Sequence, residues 1–417
     1  MTDTAASSRA PAASLAPDAS ATPAAKPVLA TAIELLRALV AFPTLSRQSN
    51  LELIEFVRAY LANLGVESRL VYNPERTRAN LYATIGPTTR GGLCLSGHSD
   101  VVPVTGQPWT SDPFTLVERD GRLIGRGSAD MKGYIACVLA SVPGFLENVR
   151  TVPIHIAISY DEEIGCVGVR DLLAELANDP VKPIGCIIGE PTSMRAAVAH
   201  KGKHSYRCGV HGLAGHSSQP EKGVNAIEYA AEMIAHLRGI GREIQRDGPF
   251  DATFAPPYTT IQTGTVKGGV AVNVVPDQCT FDFEIRQLPG DDGAAHARRL
   301  KQFAMERLLD DMRAVYPEAD IELTALSAYP GLTDQTSDAA NRLKALCGHA
   351  LGLGDIGRDA LSFGTEGGLF QEIGIPTLIC GPGSIDQAHK ADEFVMIAQL
   401  AQCCAFLAQL PGQLAQD

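Results

Sequence analysis

Positive charge is in short supply. The 417-residue chain carries 35 Lys and Arg against 47 Asp and Glu, a formal net charge of −12. Nucleic-acid binding needs basic patches that neutralise phosphates, and attraction to an anionic membrane needs basic segments. The sequence supplies neither, and its acidic balance reads as a device for solubility. Long apolar runs are missing as well. None approaches the ~20 residues of a membrane-crossing helix, and no apolar stretch of ~7–15 residues near the start serves as a secretory signal. Residues 1–26 are mostly Ala, Pro, Ser, Thr and Asp, with a single Arg9 before Lys26. Asp3, Asp18 and the scarcity of arginine speak against a transit peptide, so a disordered tail is expected there. The ten cysteines show no regular spacing and no C-x-x-C, and are too sparse for a disulfide scaffold. Most sit in apolar stretches, such as Leu93-Cys94-Leu95, and read as buried free thiols of a reducing compartment; cytosol is the expected location. Three chemistries are also absent. Gly97-His98-Ser99-Asp100-Val101 breaks the G-x-S-x-G nucleophile elbow, and neither a Walker A sequence nor a G-x-G-x-x-G follows a strand.

What is present is an ordinary globular composition, 45% apolar and 20% charged. At about one domain per ~150 residues, two or three domains are expected. Apolar spacing predicts helices over Thr31 to Leu39 and Leu51 to Leu64, and a largely buried one over Met131 to Leu146. Short apolar strands are predicted at Leu81 to Ile85, Leu93 to Ser96, Val152 to Tyr160 and Cys186 to Ile188. Short apolar strands alternating with helices imply an α/β fold with a doubly wound, mostly parallel sheet. From about Lys203 the pattern changes to strand (Ser205 to Val210), helix (Asn225 to Leu237), strands (Thr259 to Val266 and Cys279 to Arg286), helix (Ala294 to Met312) and strand (Ile321 to Leu326). That β-α-β-β-α-β order is ferredoxin-like. After Pro330 the α/β pattern resumes, with a helix from Ala339 and a strand at Thr377 to Cys380. The expectation is a larger domain from residues 27–202 and 327–417, split by an inserted α+β domain at 203–326.

The chemistry-bearing residues gather at strand ends, where ligands bind in doubly wound sheets. They are His98 and Asp100, Asp130, the run Asp161-Glu162-Glu163, Glu190 and His389. Each has a bland reading alone. A strand-end Asp is most often a helix cap, and Asp130 just before a helix fits that. A Glu-Glu pair is usually a solvated surface. Together, so many acids on one rim would repel each other unless cations sat among them, and two divalent metals would supply those cations. His155, inside an apolar strand, reads as a core histidine, and Cys166 as a core thiol rather than a nucleophile.

These pieces occur in the order found in, and from about residue 30 onward the chain resembles, the dinuclear zinc hydrolase family that holds acetylornithine deacetylases, succinyl-diaminopimelate desuccinylases, aminoacylases and glutamate carboxypeptidases. The resemblance implies that His98 and Glu190 bind one metal, that Glu163 and His389 bind the other, and that Asp130 bridges both. It makes Asp100 the orienter of the His98 ring and Glu162 the general base. Two divalent ions per chain are implied, Zn²⁺ first, with Co²⁺ or Mn²⁺ as alternatives. In Gly215-His216-Ser217-Ser218, His216 matches a family histidine that reaches the partner subunit's site and stabilises the oxyanion. A homodimer through the inserted lid domain is therefore expected; read alone, the segment is a surface turn. Asn273 and Arg286 match positions that hold a substrate carboxylate, and for Arg286 the bland reading is a surface salt bridge. Phe363-Gly364-Thr365-Glu366-Gly367-Gly368 resembles the deacetylase branch, and Glu366 would favour a substrate ammonium, unless it only ties its own loop. The expected activity is hydrolysis of N-acetyl-L-ornithine. The rivals are another N-acyl amino acid deacylase, the desuccinylase or a dipeptidase on the same scaffold. A catalytically silent binding paralogue is the rival of another class, against which stand Glu162 and all five metal ligands.

Overall fold

The computed structural model describes residues 28–415. The tail expected over residues 1–26 lies outside the described residues. Eight strands form the large sheet, in the spatial order Ser68–Tyr72, Ala79–Ile85, Ile154–Ser159, Leu93–His98, Gly185–Ile188, Thr377–Ile379, Ala197–His200 and Asp359–Leu361. Four of the seven neighbouring pairs are parallel. The other three are antiparallel, two of them at the Ser68–Tyr72 edge.

Leu93–His98, Ile154–Ser159 and Gly185–Ile188 are buried along their whole length, which explains why they read as continuous apolar runs without alternation. Successive side chains serve opposite faces. Leu93, Leu95, Ile154, Ile156 and Ile187 join the core beneath helices Val28–Val40, Lys132–Asn148 and Ile397–Leu414. Cys94, Ala157, Cys186 and Ile188 join a second core beneath helices Val169–Asn178 and Gly367–Glu372. His155 stays inside, bonded through Nδ1 to Thr84 Oγ1 at 3.0 Å and stacked on Tyr82, and burial lowers its pKa to about 4. All ten cysteines are free and buried, and no helix among the described residues is long and apolar enough to cross a membrane.

The second sheet is antiparallel throughout, in the order Thr260–Gly268, Gln278–Gln287, Gly202–His211, Asp320–Tyr329. Gln278–Gln287 alternates buried and half-buried positions, as a strand with one covered face must. Its covering helices carry a separate core around Met233, Leu237, Phe281, Phe283 and Leu300. The helix predicted to end at Leu237 continues to Asp247, because Ile240 and Ile244 extend its buried row. It stops at Gly248, whose φ of +83° suits glycine, with Pro249 next. The predicted helix 294–312 spans Gly293 to Val315 with one wider turn over Ala304–Leu308. The chain passes between the sheets twice, and the two crossings are tied together by paired His200 and Leu332 backbone bonds of 3.1 and 3.0 Å.

Packing beneath the rim leaves no space at Gly189. An added Cβ there would stand 1.9 Å from Tyr134 Cγ, on a ring that is itself buried. Gly189→Ala is expected to cost about 1–3 kcal/mol of stability by overpacking, read as a lowered melting temperature of the metal-free protein. An unchanged melting temperature would mean that the ring yields without cost.

Candidate metal centre

Three adjacent parallel strands bring residues distant in sequence to one rim. Leu93–His98 ends in His98, Ile154–Ser159 leads into Asp161-Glu162-Glu163, and Gly185–Ile188 leads into Glu190. Asp130 arrives from the turn before helix Lys132–Asn148. The cap position of that helix is Met131, and the Asp130 carboxylate turns to the imidazoles instead. His389 comes from the loop after Thr377–Ile379, in the left-handed region at φ +63°.

Two sets of ligand-type atoms form, each with its atoms within 4.8 Å of one another: His98, Asp130 and Glu190, and Asp130, Glu163 and His389. Asp130 belongs to both. Its Oδ1 lies 3.0 Å from His98 Nε2, which is also 3.8 Å from Glu190 Oε1. Its Oδ2 lies 3.3 Å from His389 Nε2, which is 2.9 Å from Glu163 Oε2. One carboxylate facing two imidazole–carboxylate pairs is a donor set for two divalent cations of the Zn²⁺, Co²⁺ or Mn²⁺ kind. The first set is buried, whereas the His389 side chain is 52% exposed, so the centre opens to solvent on that side.

The electrostatics fit cations. Burial, then the Glu163, Glu366 and Asp100 carboxylates, push Glu162 up to about 8 despite the opposing pull of His98. Burial and Asp130 push Glu163 up to about 7, and the same two causes with Glu162 raise Glu190 well above the usual range. Hydrogen bonds to Asp130 and Glu163 raise His389 to about 11. Without metal the cluster holds protons that cations would displace.

His98 Nδ1 lies 2.9 Å from the main-chain carbonyl of Asp100 and 3.5 Å from its carboxylate. That carboxylate is also engaged elsewhere: it accepts from Ser46 Oγ at 2.8 Å and from the Glu162 and Glu163 N–H groups at 3.0 and 3.4 Å. Asp100 thus touches both the histidine and the Glu162-Glu163 turn. The turn closes on itself, with the Gly165 and Cys166 N–H groups donating to the Glu162 carbonyl, both at 2.8 Å. Cys166 Sγ is 3.4 Å from Glu162 Oε1. Asp161 is held away from the centre by the Arg47 N–H and by Arg78.

The remaining sequence candidates belong to neither ligand set, though Arg286 and Glu366 are close enough for their charges to act on Glu162. His216 is exposed on the second sheet's side of the molecule, in a short pairing with Val274. The Ser218 N–H donates to its Nδ1 at 3.1 Å, so the neutral ring carries its proton on Nε2 and can donate from there. Asn273 is exposed beside it, and its main-chain carbonyl accepts from the Ser217 N–H at 3.2 Å. Arg286 bonds Glu284 at 3.1 and 3.3 Å and the Tyr329 hydroxyl at 3.2 Å. Glu366 is only 1% exposed and bonds Ser159 Oγ at 2.5 Å; burial pushes it up to about 7. Sequence reasoning missed Glu393 and Arg126, a buried ion pair of 2.7 Å beside Asp130. The only signal for it was a second acid four positions after His389.

The profile of peptidase family M20/M25/M40 matches residues 94–413. Acetylornithine deacetylase of Proteus mirabilis is 37% identical over 390 residues, covering 92% of this chain and 96% of that one. Acetylornithine deacetylase of Photorhabdus laumondii is 35% identical over 386 residues, covering 91% and 96%. Among solved structures, an M20 family metallo-carboxypeptidase from Sulfolobus solfataricus has a TM-score of 0.71 at 16% identity, covering 91% of this chain and 99% of its own. A dinuclear metal binding peptidase of the M20 family from Bacillus subtilis has a TM-score of 0.62 at 17% identity, covering 93% and 99%. At those identities the two structures speak for the fold.

Metal binding should compete with protons. Glu163 and Glu190 have raised pKa values, so they are increasingly protonated as pH falls and must lose those protons to act as ligands. Loading metal-free protein with Zn²⁺ should release protons, and its apparent affinity should drop from about pH 8 to about pH 6. Calorimetry in buffers of different ionisation enthalpy reads both. An affinity flat across that interval would remove these glutamates from the ligand set.

Proposed function

The chain belongs to peptidase family M20/M25/M40 and is a metal-dependent amidohydrolase, and from that premise we propose that it hydrolyses N-acetyl-L-ornithine to L-ornithine and acetate, a step of arginine biosynthesis. The observation that carries the chemistry is the pair of ligand sets sharing Asp130. What supports the substrate is the name borne by relatives at 37% and 35% identity over nine-tenths of the chain. Ten buried free cysteines suit a cytosolic setting.

His98 with Glu190, and Glu163 with His389, would hold two divalent ions about Asp130. When bound, those ions acidify a water toward neutral pH and polarise the acyl carbonyl. Glu162 then takes the proton of the attacking water as its oxygen bonds to the acyl carbon. As the C–N bond breaks, Glu162 returns that proton to the amine nitrogen, and acetate and the free amino acid leave. His216 would stabilise the oxyanion from the partner subunit of a homodimer, and its exposed Nε2–H is set to donate. Arg286 and Asn273 would hold the substrate α-carboxylate, with Arg286 exchanging part of its pairing to Glu284 for it. Glu366 would read the side-chain ammonium from the floor of the site.

Mixing inactive subunits tests the roles together. Glu162→Ala should keep its metal and lose ~10²–10⁴-fold in kcat, and His216→Ala should also be inactive. A heterodimer of the two has one site with both residues intact, so activity should recover toward half of wild type. No recovery after demonstrated subunit exchange places His216 outside the partner's site. Loss of metal from Glu162→Ala would reverse the roles of Glu162 and Glu163.

The substrate is tested by pairing N-acetylornithine with N-acetylmethionine, which lacks the side-chain charge. Removing a charged contact from a desolvated site costs about 1.5–3 kcal/mol. Glu366→Gln should therefore lose about 10–150-fold in kcat/KM on N-acetylornithine and much less on N-acetylmethionine. Equal losses would make Glu366 a support for its loop. A wild-type preference for N-acetylmethionine would replace the ornithine reading with a general aminoacylase.

A further inference from the structure

Glu393 belongs to neither ligand set, yet it is the most fully bonded carboxylate near the centre. It is 1% exposed, and both of its oxygens are filled. Oε1 accepts the N–H groups of Ala129 at 2.9 Å and Asp130 at 3.0 Å. Oε2 accepts the Gly127 N–H at 3.0 Å and Arg126 Nη1 at 2.7 Å. Its own carbonyl accepts the Gly125 N–H at 2.9 Å and faces Ser128 Oγ at 3.3 Å. Every one of these partners lies on the six-residue stretch that ends in Asp130.

The other end of the guanidinium reaches a second ligand. Arg126 Nη2 donates to Gln107 Oε1 at 2.5 Å, and Gln107 Nε2 donates to the His389 carbonyl at 3.0 Å. Trp109, the only tryptophan of the chain, donates to the same Gln107 oxygen at 3.0 Å, and the Arg126 guanidinium carbon lies 5.1 Å from its ring centroid.

A buried ion pair is weak grounds for stability, because desolvating both charges offsets most of their attraction. What the pair does locally is to fix a turn and a loop. We propose that Glu393 is a positioning residue that aims the shared carboxylate of Asp130, and that Arg126 and Gln107 carry the same restraint to His389, so that the two ligands are set as one unit beside Trp109. The ligands keep their orientation because the N–H groups next to Asp130 and the carbonyl of His389 are bonded into one connected network. The inference rests on the reading of the cluster as a metal centre.

The test uses full-length protein stripped of metal and titrated with Zn²⁺, followed by calorimetry and by Trp109 emission. Glu393→Gln keeps the size of the side chain but turns an amide N–H₂ toward N–H donors. It should weaken both binding steps about 10–100-fold relative to wild type, because Asp130 serves both sets. Gln107→Ala leaves every bond of Glu393 in place and removes the bridge by which Arg126 and Trp109 reach the His389 carbonyl. It should weaken one step, leave the other unchanged, and reduce the metal-dependent change in Trp109 emission. Melting curves separate these effects from loss of fold. Wild-type affinity at both steps in folded Glu393→Gln overturns the proposal. If that variant does not fold, wild-type affinity at both steps in Gln107→Ala overturns it equally. If unaltered protein takes up no Zn²⁺, the metal reading itself falls, and this inference with it.

Discussion

Asp130 gives one oxygen to the side of His98 and Glu190 and the other to the side of His389 and Glu163. A single carboxylate can serve two sets only if it is held between them, and the surrounding structure is arranged to hold it. The neighbouring parallel strands deliver His98, the Glu162-Glu163 turn and Glu190 to the same rim, because parallel strands all point their carboxyl ends one way. Apolar side chains on both faces of those strands keep the rim rigid. The helix behind Asp130 packs so closely that Gly189 has no room for a methyl group. Chemistry at the strand ends thus depends on packing several residues below it.

The same arrangement sets the electrostatic problem. Several carboxyl groups lie buried close together, and burial alone favours their protonated forms. The raised pKa values of Glu162, Glu163 and Glu190 express that conflict, and the two histidines relieve only part of it. Divalent cations resolve it by favouring the ionised form of every ligand at once. Glu162 then differs from its neighbour Glu163 in one respect: its carboxylate belongs to neither ligand set, and its near contact is the Cys166 thiol. Two adjacent glutamates have different surroundings because the turn that carries them is pinned through its N–H groups to Asp100.

That these acids and histidines gather on one rim was legible in the sequence because most of them follow recognisable apolar strands, while their division into two sets was implied only by the family resemblance. His98, Glu163 and Glu190 follow such runs, and the order of strands and helices announced both sheets. What escaped was whatever depends on distant partners. Glu393 lies 263 positions from Asp130, and nothing local marks it as the acceptor for that turn. Helix Val169–Asn178 carries its apolar row at Val169, Leu172, Leu173 and Leu176, a visible spacing that raised no expectation. Helix Ile397–Leu414 contains Pro411 near its end, a residue that ordinarily argues against a helix. The depth of Glu366 was equally hidden: a glutamate in a glycine-rich stretch reads as a loop residue, yet it lies buried against Ser159.

The second sheet carries a polar face of its own, separate from the two groups of ligand-type atoms. On the second sheet, Tyr329 stands opposite Lys203 and Lys203 opposite Arg286, so the three share one face. Ser327 on the same strand lies so near Gly165 that a Cβ there would approach it to 2.5 Å, and Arg286 and Glu162 are close enough for their charges to interact. The polar face of the second sheet therefore looks onto the Glu162 loop. Lys203, Glu284, Arg286 and Tyr329 thus form a polar face beside the Glu162 loop, on a different sheet from the two groups of ligand-type atoms. The fold is shared with a solved metallo-carboxypeptidase while the sequence is related to acetylornithine deacetylases, so fold alone does not fix the substrate.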